Sequence, residues 1–175
     1  MKVVADTSPL IFLAKIRRLD LVPRLLGNDI RVARSVSMEA LARETYPEEG
    51  RILEAFFDSC SVEEVRHQRR FALALSRADN DTLTAAVGWP ADILLCDDRL
   101  VRMTAETEGV KTLGTLGLIL KAMSRGFFSR IETRQLVDAL VREHGFRISI
   151  EVYQAVIGRI ELNGPRTSRS GHGQG

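Results

Sequence analysis

Acidic residues stand where apolar runs of this sequence end. The chain begins MKVVADTSPLIFLAK, and Asp6 directly follows Val3-Val4-Ala5. Far downstream, Ile93-Leu94-Leu95-Cys96 runs into the doublet Asp97-Asp98. Between them lie Glu39, in SVSMEAL, and Asp79 and Asp81, in LSRADNDTLTAA. One acid after an apolar run is commonly a helix cap or a turn former. Two such runs delivering acids suggests a shared pocket. Carboxylates gathered together repel one another and take up protons at neutral pH unless a cation neutralises them. A set of oxygens without His or Cys favours a hard ion, Mg2+ or Mn2+, over zinc. Such an ion can deprotonate a water and stabilise the charge that develops on a phosphodiester under attack. The pattern therefore points to metal-dependent phosphoryl-transfer chemistry.

The elements that must position these acids are legible in outline. Val3 to Ala5 reads as a short strand buried on both faces, because its apolar residues do not alternate with polar ones. Ser8 as N-cap and Pro9 as first helical residue would open a helix, and a second, about residues 19–26, would stop at Gly27-Asn28. A strand around residues 30–33 follows, then a helix over 36–43 capped by Ser35. Further expectations are a loop or helix start over 45–50, a helix over 52–57, a strand over 61–65, and helices over 67–76 and 80–87. The apolar run at 92–96 reads as another buried strand, followed by a helix over 100–108 and a strand at 110–112. Strands separated by helices imply βαβ units and a mostly parallel sheet covered on both faces. In such a sheet ligands collect at the carboxyl ends of the strands, where Asp6, Asp97 and Asp98 fall. After Gly114 the chain reads as helical, over 116–125, 133–143 and 150–160, with Gly145-Phe146 as a helix stop.

Two of the acids carry a local alternative. Glu39 suits a helix N-terminus, but it is not a capping-box partner for Ser35, since Met38 occupies the required position. Ser76-x-x-Asp79 does fit a capping box, so Asp79 reads equally as a cap and as a ligand.

Composition narrows the class. The 175 residues are 45% hydrophobic and 27% charged, which suits one globular domain with a proper core. The formal net charge is +2 and the sequence pI is about 8.7, mildly basic and mostly from Arg, whose planar fork suits phosphate. That balance does not by itself demand nucleic acid. The two cysteines form no CxxC or Cys/His cluster, which argues against a zinc site and for a reduced, cytoplasmic setting. No signal-like N-terminus is evident, and no apolar stretch approaches the roughly 20 residues needed to cross a bilayer. A soluble protein without membrane association is expected.

These segments resemble a PIN domain, the nuclease fold shared by VapC-type toxins and several RNA-processing factors. VVADTSPLIFLAKI resembles its opening, VARSVSMEAL the segment with the second acid, and LSRADNDTLTAA the segment with the third. ILLCDDRLVRMTAETEGVKTLGTLGLILKA resembles its last strand, terminal acid and following helices, and with GFRISIEVYQAVI is closest to a prokaryotic VapC-like branch. The resemblance implies a three-layer α/β/α sandwich with a mostly parallel central sheet and extra C-terminal helices. The chain then divides into a core over 1–126 and a helical extension packed on it over 127–162, while the Gly/Ser/Arg-rich composition of the end reads as a flexible tail over 163–175. It implies a Mg2+- or Mn2+-dependent ribonuclease whose catalytic acids are Asp6, Glu39, Asp79 and Asp98. Asp6, Asp79 and Asp98 would be mainly metal ligands. Glu39 would bind through water or orient the nucleophile. Thr7 or Ser8 would orient Asp6 or hold a metal-bound water, Asp81 and Asp97 are alternatives for their neighbours, and Arg99 and Arg102 are candidates to hold the RNA backbone.

By the same resemblance the protein would be the toxin of a toxin–antitoxin pair, dimeric, with an antitoxin as partner. The apolar stripe Leu136, Leu140, Val141, Phe146, Ile148, Val152, Val156 and Ile157 reads first as packing on the domain itself, and otherwise as a dimer or antitoxin surface. A contrasting reading is an inactive PIN-like module that binds RNA or protein without cutting; the complete acid set argues against it. A haloacid-dehalogenase phosphatase would need a second Asp where Ser8 stands. No phosphate-binding glycine loop is present.

Overall fold

The structure, a computed structural model, describes residues 1–43, 46–71 and 74–163. Strand β1 (Val3–Ala5) lies at the centre of a five-stranded sheet with β2 (Ile30–Ala33), β3 (Ser61–Glu63), β4 (Ile93–Leu95) and β5 (Thr112–Leu113). The order is β3-β2-β1-β4-β5 and every pairing is parallel. Val3, Val4 and Ala5 are all fully buried, as a continuous apolar run in a sheet covered on both faces requires.

The alternation along each strand builds two cores. Val3, Ala5 and Leu95 face one side, packing with Leu10 and Leu13 of α1 (Thr7–Lys15), Leu25 of α2 (Leu21–Leu26), Val36 and Ala40 of α3 (Arg34–Ala42) and Leu53 of α4 (Pro47–Asp58). Leu118 and Ile119 of α7 (Thr115–Ser124) join this core, as do Val137 and Leu140 of α8 (Arg130–Arg142) and Val156 and Ile160 of α9 (Ile150–Asn163). Val4, Leu94 and Cys96 face the other side, against Leu83 and Ala86 of α5 (Arg77–Gly88) and Val101 and Ala105 of α6 (Arg99–Thr107). The result is the three-layer α/β/α arrangement with extra C-terminal helices that the sequence suggests. At Gly145, with φ of 69°, the chain turns so that the Phe146 N–H reaches back to the Leu140 carbonyl. The Phe146 ring then stands edge-on to Phe12 of α1 at 4.7 Å, which fastens the end of α8 to the core. From the apolar stripe of the last helices, Leu140, Phe146 and Val156 are buried while Val152 is exposed.

Several local expectations need correction. Helix α1 begins at Thr7 with Asp6 at its N-cap, so Ser8 and Pro9 lie inside its first turn rather than opening it. The Asp6 N–H is held by the Leu95 carbonyl of β4, which keeps the chain extended through Asp6 and lets the helix start at once; Pro9 is tolerated because first-turn amides need no intrahelical partner. Ser35 does not cap α3, which starts two residues earlier than expected, at Arg34 after Ala33; its hydroxyl goes to Asp81 instead. The helix expected over 67–76 is absent among the described residues, and regular structure resumes only at Arg77. Part of that expectation falls on residues 72–73, and the loop expectation at Thr45 and the tail beyond residue 163 likewise lie outside the described residues. Strand β5 sits at Thr112–Leu113 rather than 110–112. Among the described residues, no helix is long and apolar enough to cross a membrane.

Candidate active site

The chain leaves β1 toward β2 and β3, then returns to lay β4 and β5 on its other side. Such a reversal opens a crevice at the carboxyl ends of β1 and β4. Asp6 sits in that position, 2% exposed. The Thr82 hydroxyl of α5 donates to its Oδ1 at 3.2 Å. Burial pushes the Asp6 carboxyl up to about 7, with the negative charges of Asp79 and Glu39 adding to the shift; the Thr7 N–H and the Thr82 hydroxyl oppose it. Asp6, Glu39 and Asp79 thus act on one another electrostatically although they come from β1, α3 and α5.

Glu39 is half-buried on α3. Its Oε2 accepts from the Thr7 hydroxyl at 2.9 Å, and its Oε1 pairs with Arg43 at 2.9 Å. The Thr7 hydroxyl therefore steadies Glu39 rather than Asp6. Ser8 lies half-buried in the first turn of α1.

Asp79 and Asp81 take different directions. Asp79 completes a capping box with Ser76, the Asp79 N–H donating to Ser76 Oγ at 3.2 Å and the Ser76 N–H donating back to Asp79 Oδ2 at 3.3 Å; the Ser76 hydroxyl also donates to Oδ2 at 2.7 Å. Three residues on along the helix, and so on the same face, stands Thr82 with its bond to Asp6. Asp81 is buried on another face, accepting from Ser35 Oγ at 2.7 Å and Gln68 Nε2 at 2.5 Å. It ties the start of α3 and the segment before α5 together.

The doublet after β4 divides in the same way. Asp98 caps α6: its Oδ1 accepts from the Leu100 and Val101 N–H groups at 2.7 and 3.0 Å. Asp97 caps α7 from a distance, accepting from the Thr115 N–H at 2.8 Å and the Thr115 hydroxyl at 2.6 Å. The residue at the N-cap of α7 is Gly114, which has no side chain to offer. A Cβ there would stand 2.9 Å from Asp97 Oδ1 and 3.5 Å from the Cys96 carbonyl. Burial raises the Asp97 carboxyl above its usual range; its bonds to Thr115 and the nearby Arg102 guanidinium hold it down in part. Cys96, fully buried between these acids, has its thiol pushed up by desolvation and by the charges of Asp6, Asp97 and Asp98. Asp6 and Asp98 therefore act on one buried atom, from neighbouring strand ends. Arg99 and Arg102 are exposed on α6 and line, with Asp97, a hollow of about 240 Å³.

An all-carboxylate donor set around a buried acid that would otherwise hold its proton fits a hard divalent cation in chemistry. Among the described residues, however, no three His, Cys, Asp or Glu side chains already form a group that could hold an ion. Glu39, Asp79 and Asp98 are each engaged by a protein partner.

Sequence reasoning overlooks Thr82 and Thr115. Thr82 is detectable from its spacing to Asp79 on one helical face. Thr115 carries no local signal, since its partner lies on another strand end.

A search among curated proteins gives no match. The family model DUF3368, described as a PIN domain, matches residues 2–162. A match over that much of the chain shows the family: this protein belongs to the PIN-domain family, whose members are generally nucleases.

Proposed function

We propose that this PIN domain is a Mg2+- or Mn2+-dependent ribonuclease that cuts single-stranded RNA, of the VapC-like branch, and that it serves as the toxin of a toxin–antitoxin pair. The observation that carries the reading is Asp6: a carboxyl buried at the carboxyl end of the central strand and held near 7 by burial and by the charges of Asp79 and Glu39. A lone structural acid gains nothing from that placement, whereas a cation ligand does. Asp6, Glu39, Asp79 and Asp98 would hold the ion, with Asp97 and Asp81 in the supporting positions described above. When bound, the ion supplies an activated water and charge neutralisation at the scissile phosphate.

The chain's own groups do the rest. Thr82 and Thr7 fix Asp6 and Glu39, so that their carboxylates need little reorganisation. Arg99 and Arg102, exposed beside the last acid, hold the RNA backbone through phosphate. Asp79 and Asp98 each turn an oxygen toward the helix start that they serve, and the other oxygen of Asp98 would be available to an ion. A homodimer, an antitoxin partner and a cytoplasmic site of action belong to the same reading.

One observation favours a second reading. The engagement of Glu39, Asp79 and Asp98 by protein partners suits a PIN-like module that binds RNA or protein without cutting it. Incubating single-stranded RNA with wild type and Asp6→Asn, with Mn2+ and with excess EDTA, separates the two. Cutting by wild type that both EDTA and the substitution abolish supports the ribonuclease. Cutting that survives EDTA overturns its mechanism, and metal-independent RNA binding without cutting favours the module.

A further inference from the structure

We propose that the groove beside Glu39 seats an unpaired guanine of the RNA and so selects where the strand is cut; this rests on the ribonuclease reading above and deepens it. The groove is open to solvent and offers about 500 Å³ between α3 and the start of α5, with Arg34, Met38, Glu39, Glu64, Ser76 and Arg77 among its walls. That volume lies within the range of about 300–1,000 Å³ usual for small-molecule sites. It adjoins the acids directly: Glu39 belongs to both, and Ser76 is the capping partner of Asp79. A base held here leaves its neighbouring phosphate beside the carboxylates.

The chemistry of the walls selects a base over a phosphate. Two arginines face two glutamates, so the lining carries no net charge to attract an anion. Arg34 reaches Glu64 only at 3.4 Å, with both side chains more than half exposed, and Arg77 reaches Asp81 only at 3.9 Å. The exposed Arg34–Glu64 pair is worth little and exchanges readily for a ligand, and the Arg77 guanidinium, itself exposed, is held only at long range by the buried Asp81. Met38 is 65% exposed, a large apolar side chain that contributes to neither core and offers a surface for a flat ring. The Arg77 guanidinium offers a second stacking plane. A neutral, flat molecule with donors on one edge and acceptors on the next matches this set.

Among the bases, guanine uses the groove most fully. Its N1–H and N2–H2 groups are adjacent donors that a carboxylate accepts together, the role assigned to Glu64. Its O6 and N7 are the acceptors that the arginine fork recognises, the role assigned to Arg34. Adenine and cytosine each present one amino donor and uracil one imino donor, so each leaves part of the groove unmatched.

The test measures binding apart from cleavage. Labelled UUGUU, UUAUU and UUUUU ribonucleotides are titrated with the full chain in EDTA and followed by fluorescence anisotropy. UUGUU is expected to bind about tenfold more tightly than the other two, and Glu64→Gln to remove that preference, as does Arg34→Ala. Equal binding of the three, or a preference that both variants retain, overturns the proposal. Cutting with Mn2+ at sites that lack guanine overturns it as well and leaves the ribonuclease reading standing. Guanine-selective binding without cutting supports the groove and overturns the ribonuclease.

Discussion

Thr82 Oγ1 donates to Asp6 Oδ1 at 3.2 Å, joining helix α5 to the end of the central strand inside the protein. Thr82 is fully buried and Asp6 nearly so. The bond favours the ionised form of a carboxyl that burial otherwise keeps protonated. Replacing Thr82 by Val keeps the shape and removes the donor. The Asp6 carboxyl, followed by carbon-13 NMR, is then expected to titrate above the wild-type value of about 7. Stability at alkaline pH should fall by about 1 kcal/mol. An unchanged titration would show that the hydroxyl does not act on Asp6.

Asp6 also sets a pH dependence in metal-free protein. Its folded value of about 7 lies above the ordinary 3.8, so the folded state keeps a proton that the unfolded chain releases. The stability this contributes is fully present below about pH 4 and is lost as pH rises through 7, by up to the order of 4 kcal/mol. Denaturant unfolding in EDTA is expected to show stability falling between pH 4 and pH 8, and Asp6→Asn to flatten that slope.

Metal and proton compete for the same oxygens. Added Mn2+ should therefore raise the melting temperature of wild type more at pH 8 than at pH 5, and that of Asp6→Asn little at either. Equal shifts at both pH values, or equal shifts in wild type and variant, would place the ion elsewhere.

The Asp97-Asp98 doublet divides into two roles. Asp98→Asn keeps an N-cap of equal quality, so the melting temperature should hold while Mn2+-dependent RNA cutting falls at least tenfold. Asp97→Ala leaves the buried Thr115 hydroxyl and the first amide of α7 without their acceptor, a loss of about 1–3 kcal/mol. Thermal melts and cleavage assays on the two variants side by side test the division; a stability loss confined to Asp98→Asn would reverse it.

Gly114→Ala tests the same corner by crowding. The added Cβ would meet Asp97 Oδ1 at 2.9 Å and the Cys96 carbonyl at 3.5 Å, so the carboxylate must leave Thr115 or the backbone must shift. A destabilisation of about 1–3 kcal/mol is expected, and it should shrink when Asp97 is already Ala. Additive losses in the double variant would show that the two residues do not share the contact.

Much of this protein was settled locally. The unbroken apolar runs at Val3–Ala5 and Ile93–Leu95 mark buried strands because a sheet covered on both faces needs apolar residues in succession. The acids that follow them must then fall on one edge, since parallel strands all end on the same side. Gly145 and the capping box at Ser76 and Asp79 were equally legible, as backbone and side chain satisfy each other within a few residues.

Tertiary structure decided what spacing leaves open. Ser8-Pro9 and Ser35 carry sound local helix-start signals, yet α1 and α3 begin elsewhere because strand bonding and Asp81 claim the relevant groups. That Asp79 acts on Asp6 while Asp81 binds Ser35 depends on which face of α5 meets β1. That Asp97 leaves its own helix start to Asp98 and caps α7 instead depends on β5 lying beside β4. Each of these is a choice between partners close in space and distant along the chain, and local propensity carries no information about such distances.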